Sequence, residues 1–336
     1  MTHRRSFLLV ASFALSVVLI AVLIKVGNIN LRVTLQQLQS VRWVSFTKLI
    51  LLNTLLVLIS TGKWRSTDAA LRRSSDSVQP RTRSFALTSA GLALGTFLPV
   101  QLAMSTARTL GTYVHGSPIK RGTAGTLFEQ SFDVLMAVFL AVASGFTWAW
   151  KGGGMMWTLS AVIMTGFALL AVGPSVRLIR WLTATCAART TVPKGRIGTL
   201  VRDFSDVLHS GLLNAGLARR LVVLSAARFV VIVLMSNQTA EAIGLHIPLW
   251  HMAAAIPFAV IASLIALTPG GLGINELTSA AALSFFGTPL AVGAQWALAN
   301  RVLIVVSYFV VALCAATVLL IGKMTASKNR SAVENQ

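Results

Sequence analysis

The amino-acid sequence predicts an all-α polytopic membrane protein with about 7–8 transmembrane helices and one or two re-entrant segments broken by Pro and Gly. Of its 336 residues, 55% are apolar and only 11% are charged. A soluble domain carries roughly 25% charged residues, so this chain has too few charges to cover a water-facing surface. Its apolar residues also fall into long runs separated by short basic segments, which is the pattern of membrane spans and their loops.

Eight apolar runs predict the helices. They lie at residues 7–24, 43–60, 84–104, 124–150, 155–172, 221–236, 249–268 and 291–321. Because the polar segments between them are short, we expect a single transmembrane domain over residues 1–322, followed by a short polar tail at 323–336.

The chain has 29 Lys and Arg residues against 9 Asp and Glu residues, which gives a net charge of +20. The positions of the basic residues predict the topology. The basic residues gather in the segments 62–83 and 173–220, between apolar runs. The positive-inside rule places these two loops and the N-terminus in the cytoplasm, where they would contact anionic lipid head groups. This distribution argues against a nucleic-acid partner.

Two of the hydrophobic segments contain helix breakers. The run 84–104 is interrupted by Gly91, Gly95 and Pro99, and the segment 266–276 by one Pro and three Gly. If the first segment crossed the membrane fully, the basic loop 173–220 would fall outside, so we expect it to enter and return. The second segment is interpreted in the same way or as an ordinary loop between two helices. Two broken segments, one per half, indicate a transporter-like internal repeat and its binding site.

Three acidic residues and one arginine lie in or beside apolar runs: Arg108, Glu129, Asp133 and Glu276. Each charge at the centre of a membrane helix costs about 2.5–3.5 kcal/mol, so such residues mark function. Glu129 and Asp133 are four residues apart and share a helix face. They form either a proton or cation site, an anchor for an arginine, or a structural salt bridge with Arg108, Arg228 or Arg301.

Arg108 and the Gly-rich turn are the candidate anion ligands. A guanidinium suits bidentate contact with a lipid phosphate, although Arg108 at the edge of a span could instead extend to the interface. The turn that contains Pro269, Gly271 and Gly273 can expose backbone N–H groups beside Glu276, which would cradle an anion. We expect no metal, cofactor or catalytic residues, because His and Cys lack ligand spacing and no Gly-x-Ser-x-Gly motif occurs.

Three segments resemble the lysylphosphatidylglycerol-synthase transmembrane-region family of flippase-like membrane proteins. They read FLP at 97–99 with RTL at 108–110, FEQSFD at 128–133, and TPGGLGINE at 268–276. Gln130 departs from the arginine that the resemblance leads us to expect beside Glu129. The best-understood relatives flip an aminoacylated phospholipid and carry a soluble aminoacyl-transfer domain, which these 336 residues lack. Other stand-alone members are associated with lipid-linked saccharides or hopanoid-type lipids.

The resemblance implies a polytopic bundle with broken helices that moves or handles membrane lipids. With the costly charges beside the paired helix breaks, it leads to the hypothesis of a translocase, or a lipid-transport component, of the bacterial cytoplasmic (inner) membrane that handles a phospholipid or a lipid-linked saccharide. Arg108 would contact a head-group phosphate. Glu129, Asp133 and Glu276 would line the path and couple protons, and the two broken segments would meet near the midplane. One alternative is a membrane-embedded lipid-modifying transferase. Another is a non-transporting scaffold that binds membrane partners in an envelope-lipid or polysaccharide biosynthesis complex.

Overall fold

The computed structural model describes residues 2–71, 79–114, 119–189, 214–265 and 268–334. Within these ranges the regular structure is entirely helical, which confirms the predicted all-α class. The helices are α1 (Thr2–Val26), α2 (Leu31–Gln39), α3 (Trp43–Leu71), α4 (Arg81–Leu94), α5 (Val100–Tyr113), α6 (Ile119–Ala149), α7 (Gly154–Arg189), α8 (Ala215–Ala242), α9 (Leu249–Ile265), α10 (Ile274–Phe285) and α11 (Leu290–Glu334).

Four described helices are long and apolar enough to cross a membrane: Trp43–Leu71, Gly122–Ala149, Gly154–Arg177 and Leu290–Gly322. The pair Ser12–Val26 and Leu31–Gln39, bent by 97°, would make a fifth span if it crosses as one unit. The protein is therefore a multi-pass membrane protein. The sequence-based number was higher because it also included three further runs. The run 84–104 divides into two 14-residue helices, the run 221–236 lies in α8, and the run 249–268 contains the 17-residue helix α9.

Both basic segments are shorter in the structure than the sequence indicated. Helix α3 continues to Leu71, so the predicted loop 62–83 begins about three turns later. Helix α7 continues to Arg189 and α8 begins at Ala215, which shortens the predicted loop 173–220 from both ends. Residues 72–78 and 190–213 of these loops lie outside the described residues. Helix α11 extends to Glu334, through most of the predicted polar tail.

The first broken segment forms a hairpin of α4 and α5. Helix α4 ends at Leu94, its C-cap residue Gly95 donates its N–H to the Gly91 carbonyl, and α5 begins at Val100, directly after Pro99. Pro99 cannot donate a backbone hydrogen bond, which explains the interruption. The two arms are in close contact, because a Cβ added at Gly91 would lie 2.8 Å from Met104 Sδ.

The second broken segment forms a similar hairpin of α9 and α10. A 3₁₀ turn, Pro269–Gly271, connects the two helices. Gly270, Gly271 and Gly273 have positive φ angles of 57°, 70° and 82°. Glycine adopts this left-handed conformation without the steric cost that a side chain imposes. Three left-handed residues so close together explain why the chain reverses here instead of continuing as one helix.

The order long helix, hairpin, long helix occurs twice, in α3–α6 and again in α8–α11. The packing between the two halves is reciprocal: α3 lies against α8, the α4 arm against α11, and the α9 arm against α6. This arrangement agrees with the internal repeat that the two broken segments predicted. It also places the breaks between the two halves, where Gly95, Thr96 and Gly270 are buried, while Phe97 and Leu98 are exposed.

Candidate functional site

A cavity of about 290 Å³ lies between the two halves and is lined by residues of both broken segments. Its walls include Gly95 and Thr96 from the first break and Gly270 from the second. Six charged residues also line it: Arg108, Glu129, Asp133, Arg228, Glu276 and Arg301. All four charged residues that the sequence singled out are among them, and so are all three arginines considered as partners, since Arg108 belongs to both groups.

Arg108 on α5 forms a buried ion pair with Glu129 on α6. Its Nη1 lies 2.5 Å from Glu129 Oε2, and its Nη2 donates to the Ser60 carbonyl at 3.1 Å. The guanidinium also lies over the Trp64 ring, with 5.3 Å between Cζ and the ring centroid. Arg108 is 0% exposed, so the interpretation that it extends to the membrane interface is wrong. Both terminal nitrogens are used within the chain, and the buried Nε has no described partner.

Asp133, one turn further along α6, lies between two cations. Lys63 Nζ is 2.5 Å from Asp133 Oδ1, and Arg228 Nη1 is 3.6 Å from Asp133 Oδ2. Lys63 also lies 3.9 Å from Glu129 Oε1, so it joins the two acidic residues. For Glu129 and Asp133 the sequence left open a proton or cation site, an anchor for an arginine, or a salt bridge. The structure shows salt bridges, from Glu129 to Arg108 and from Asp133 to Arg228.

Lys63 is the site residue that sequence reasoning missed. It was assigned to a basic cytoplasmic loop, but it lies on α3 with its side chain 0% exposed. A signal was available, because Ser60, Lys63 and Thr67 recur at helical spacing beyond the apolar run 43–60. These three residues are buried on one face of α3, the face that meets α6.

Glu276 stabilises the second break from within the chain. The Gly273 N–H donates to Glu276 Oε2 at 2.6 Å, in the manner of a capping box, and Arg301 Nε lies 3.7 Å from Glu276 Oε1. The Gly271 N–H donates to the Thr268 carbonyl at 3.0 Å. The anion beside this turn is therefore its own carboxylate, and the Gly271 and Gly273 N–H groups are not free for an external anion in this conformation.

Arg301 on α11 joins the two breaks. Its Nη2 donates to the carbonyls of Thr96 and Gly270, each at 2.9 Å. The breaks are also in direct contact, because a Cβ at Gly270 would collide with the Thr96 carbonyl. The two segments that begin or end near Pro99 and Pro269 thus meet in one place, as the sequence predicted, on the wall of the charged cavity.

The six charged residues on the cavity wall balance, three acidic against three basic. Lys63 is buried behind the wall, and it brings the described ion-paired cluster to four cations against three anions, a formal balance of one positive charge. Lys63 and Arg108 are fully buried, whereas the side chains of Arg228 and Arg301 are 20% and 21% exposed. Arg228 and Arg301 are therefore the cations that a ligand could reach first.

No three His, Cys, Asp or Glu side chains within the described parts of the chain come together as a metal site. The chemistry of the cavity is instead that of paired carboxylates, guanidinium groups and amides. Such groups can bind an anion, exchange hydrogen-bond partners, and take up or release a proton.

Comparison with known proteins identifies one family. The model of the family described as "Lysylphosphatidylglycerol synthase TM region" matches residues 9–314, which confirms the resemblance of the three sequence segments. A search of curated proteins finds no match to this chain.

Proposed function

The chain belongs to the lysylphosphatidylglycerol synthase TM-region family, and on that premise we propose that it translocates a phosphate-bearing lipid between the leaflets of a bacterial inner membrane. Membership of the family supports a function that involves membrane lipids. The translocase activity, the inner-membrane location and the cytoplasmic N-terminus are parts of this proposal. The cargo class is a phospholipid or a lipid-linked saccharide.

The observation that carries the proposal is the charged cavity at the contact between the two helix breaks. Charged groups inside a membrane protein are costly and face the bundle interior where they serve a pathway or a ligand. Broken helices in transporters likewise place their irregular backbone at the binding site. Here both features coincide, since Arg301 contacts both breaks and lines the cavity.

The ion-paired cluster, with Lys63 included, has one more positive than negative charge, which fits a ligand with one negative charge, such as a phosphodiester. Arg228 and Arg301 are the partly exposed cations, so we assign them the first contact with the phosphate. Arg108 would hold Glu129 and contribute at most its unpaired Nε. Ligand pockets commonly measure about 300–1,000 Å³, so a cavity at the lower limit fits a head group rather than a whole lipid.

The same contacts suggest how translocation would be coupled to protons. A phosphate that draws Arg301 away would leave Glu276 without its cation, and one that draws Arg228 away would leave Asp133 with Lys63 alone. Burial makes a charged carboxylate without a cation costly, so a carboxylate that loses its partner takes up a proton and becomes neutral. Release of Arg301 would also free the two breaks from each other, which would let the hairpins move.

The test is a leaflet-accessibility assay with the purified full chain in liposomes. The lipids would carry head-group labels and include phosphatidylglycerol, an aminoacylated phosphatidylglycerol and a polyprenyl phosphate. We expect faster transfer of at least one phosphate lipid, and a loss of tenfold or more in Arg228→Gln. The control is Arg220→Gln, which removes an exposed arginine from the same helix.

If the folded protein transfers none of the lipids in the panel, the result contradicts the translocase proposal and favours a scaffold. Equal transfer by Arg228→Gln and the unmodified chain would contradict the assignment of the cavity as the path.

A further inference from the structure

An apolar groove of about 300 Å³ lies outside the charged cavity and shares no lining residue with it. The groove is formed where α6, α9 and α10 meet, and its walls include Gly145, Trp148, Phe258, Thr278, Ala282 and Phe285. Among the lining residues, Thr278 alone has a polar side chain. The groove therefore offers a ligand apolar contacts and no charged partner.

The groove lies within the thickness of the membrane. Gly145 and Trp148 belong to the last turns of the candidate span Gly122–Ala149. Phe258 lies about 14 Å along α9 from its first residue, Leu249, at a rise of about 1.5 Å per residue. The hydrocarbon core of a bilayer is about 30 Å thick, so the groove spans the depth of one leaflet. Hydrocarbon chains, and not water, therefore surround it.

Aromatic side chains at the mouth of the groove lie where Trp residues commonly meet the membrane–water interface. The rings of Trp148 and Phe285 make an edge contact, with centroids 6.5 Å apart, although both side chains are more than half exposed. Trp250, near the start of α9, packs against Phe286 of the groove at 6.1 Å. The groove thus begins at the interface and extends from there into one leaflet.

An exposed cation follows directly after the mouth of the groove. The Lys151 N–H donates to the Trp148 carbonyl at 3.0 Å, and the Gly152 N–H donates to the Thr147 carbonyl at 2.8 Å. Lys151 has a φ angle of 48°, a conformation that glycine usually adopts in such a helix-ending turn. Its side chain forms no ion pair with any acidic residue that the structure describes. This turn therefore presents an unpaired positive charge at the interface, beside the groove.

We propose that the apolar groove binds one acyl chain of an anionic phospholipid from the surrounding leaflet, with the lipid phosphate at Lys151. Because lipid tails are as apolar as the groove walls, close van der Waals contact in the groove holds the chain. Lys151 selects a negatively charged head group. The site goes beyond the proposed function, because it lies outside the charged cavity and requires no lipid transfer.

Photocrosslinking in nanodiscs tests the site. The purified full chain would be placed in phosphatidylcholine nanodiscs with a trace of phosphatidylglycerol that carries a photoreactive acyl chain. Random contact would label all lipid-facing helices weakly, whereas a bound chain labels the groove. We expect cross-links to concentrate on Phe258 and residues 278–286. One lysine near an anionic head group corresponds to about a fivefold preference, so phosphatidylcholine with the same photoreactive chain should label these residues about fivefold less.

Two pairs of variants assign the chain and the phosphate. Gly145→Leu should lower labelling of the groove about three- to tenfold, because the added side chain occupies open space on the groove wall. Gly166→Leu makes the same change in open space on α7 and should have no effect. Lys151→Gln should remove the preference for phosphatidylglycerol over phosphatidylcholine, and Lys48→Gln, which removes an exposed lysine from α3, should keep it.

Labelling spread evenly over the lipid-facing helices would overturn the inference, as would unchanged labelling of the groove in Gly145→Leu. Equal labelling by the two lipids in the unmodified chain would contradict the contact between Lys151 and a phosphate. Cross-links from the groove to a second copy of the chain would show that a protein occupies it instead. The liposome assay measures lipid transfer separately, so failure here leaves the translocase proposal standing.

Discussion

Lys63 and Asp133 are 70 positions apart in the chain, yet Lys63 Nζ lies 2.5 Å from Asp133 Oδ1 in the interior of the helix bundle. This contact joins α3 to α6. Arg228 extends the cluster from Asp133 to α8, which belongs to the second half of the chain. The ion pairs of the cavity therefore do two things: they cross-link the halves, and they supply the polar lining.

Loss of Lys63 should destabilise the bundle. Removal of one partner from a buried ion pair costs about 3–5 kcal/mol, because the remaining charge is left buried, and residual contact of Asp133 with Arg228 would reduce this figure. We expect Lys63→Met to lower the free energy of unfolding in mixed micelles by about 2–4 kcal/mol. Lys48→Met, which removes an exposed lysine from the same helix, should change it by about 0.5 kcal/mol or less.

A double variant separates the charge from the packing. Lys63→Met with Asp133→Leu removes both charges, so it should be less destabilised than the sum of the two single variants. Strict additivity would show that the two side chains are not coupled and would contradict the contact.

Arg108 should not be replaceable by lysine. The guanidinium contacts both Glu129 and the Ser60 carbonyl from separate nitrogens and lies over Trp64, which an ammonium group cannot do at once. We expect Arg108→Lys to lower stability by about 1–3 kcal/mol in the same unfolding measurement. Arg220→Lys on the exposed surface of α8 is the matched control, and equal stability of the two variants would refute the buried geometry.

The contact between the two breaks should tolerate no side chain at Gly270. Its φ angle is 57°, and a Cβ would collide with the Thr96 carbonyl. A left-handed non-glycine residue costs about 1–2 kcal/mol before the collision is counted, so we expect Gly270→Ala to lower both stability and lipid transfer. Gly166→Ala on α7 adds a methyl group in open space and should be neutral or slightly stabilising. Thermal unfolding and the leaflet-accessibility assay on both variants check this.

Glu276→Gln should separate folding from function. The glutamine oxygen can still accept the Gly273 N–H, so the turn should form with a loss of about 1–2 kcal/mol from the weaker hydrogen bond. The variant removes the negative charge beside Arg301, and with it the site that we propose takes up a proton. Lipid transfer should fall at least tenfold and lose its dependence on a pH gradient. The control Glu241→Gln changes an exposed acid on α8, and a pH response that persists in Glu276→Gln would exclude this coupling site.

The sequence predicted those features that carry a local energetic cost. Arg108, Glu129, Asp133 and Glu276 stand out because a charge in an apolar run is expensive, and Pro99 and Pro269 stand out because they interrupt helices. Ion-pair partners were not determined, because they come from distant positions whose proximity depends on how the two halves pack. Lys63 was missed because a boundary drawn by hydropathy ended the helix before it.

One local signal was available but was interpreted differently. Gly273 and Glu276 have the spacing of an N-cap and the acidic residue of a capping box, which predicts that the carboxylate accepts the Gly273 N–H. The structure shows this bond, at 2.6 Å. The glycine turn therefore binds the Glu276 carboxylate in this conformation. The partly exposed positive groups on the cavity wall are Arg228 and Arg301.

The position of a bound phosphate is the decisive measurement. A cryo-electron microscopy structure of the full chain in nanodiscs of phosphatidylglycerol would locate the head group directly. We predict phosphate density inside the cavity, in salt-bridge contact with Arg228 or Arg301, beside the meeting point of Thr96 and Gly270. A head group bound only outside the helix bundle, with water alone in the cavity, would contradict the assignment of this cavity as the lipid path.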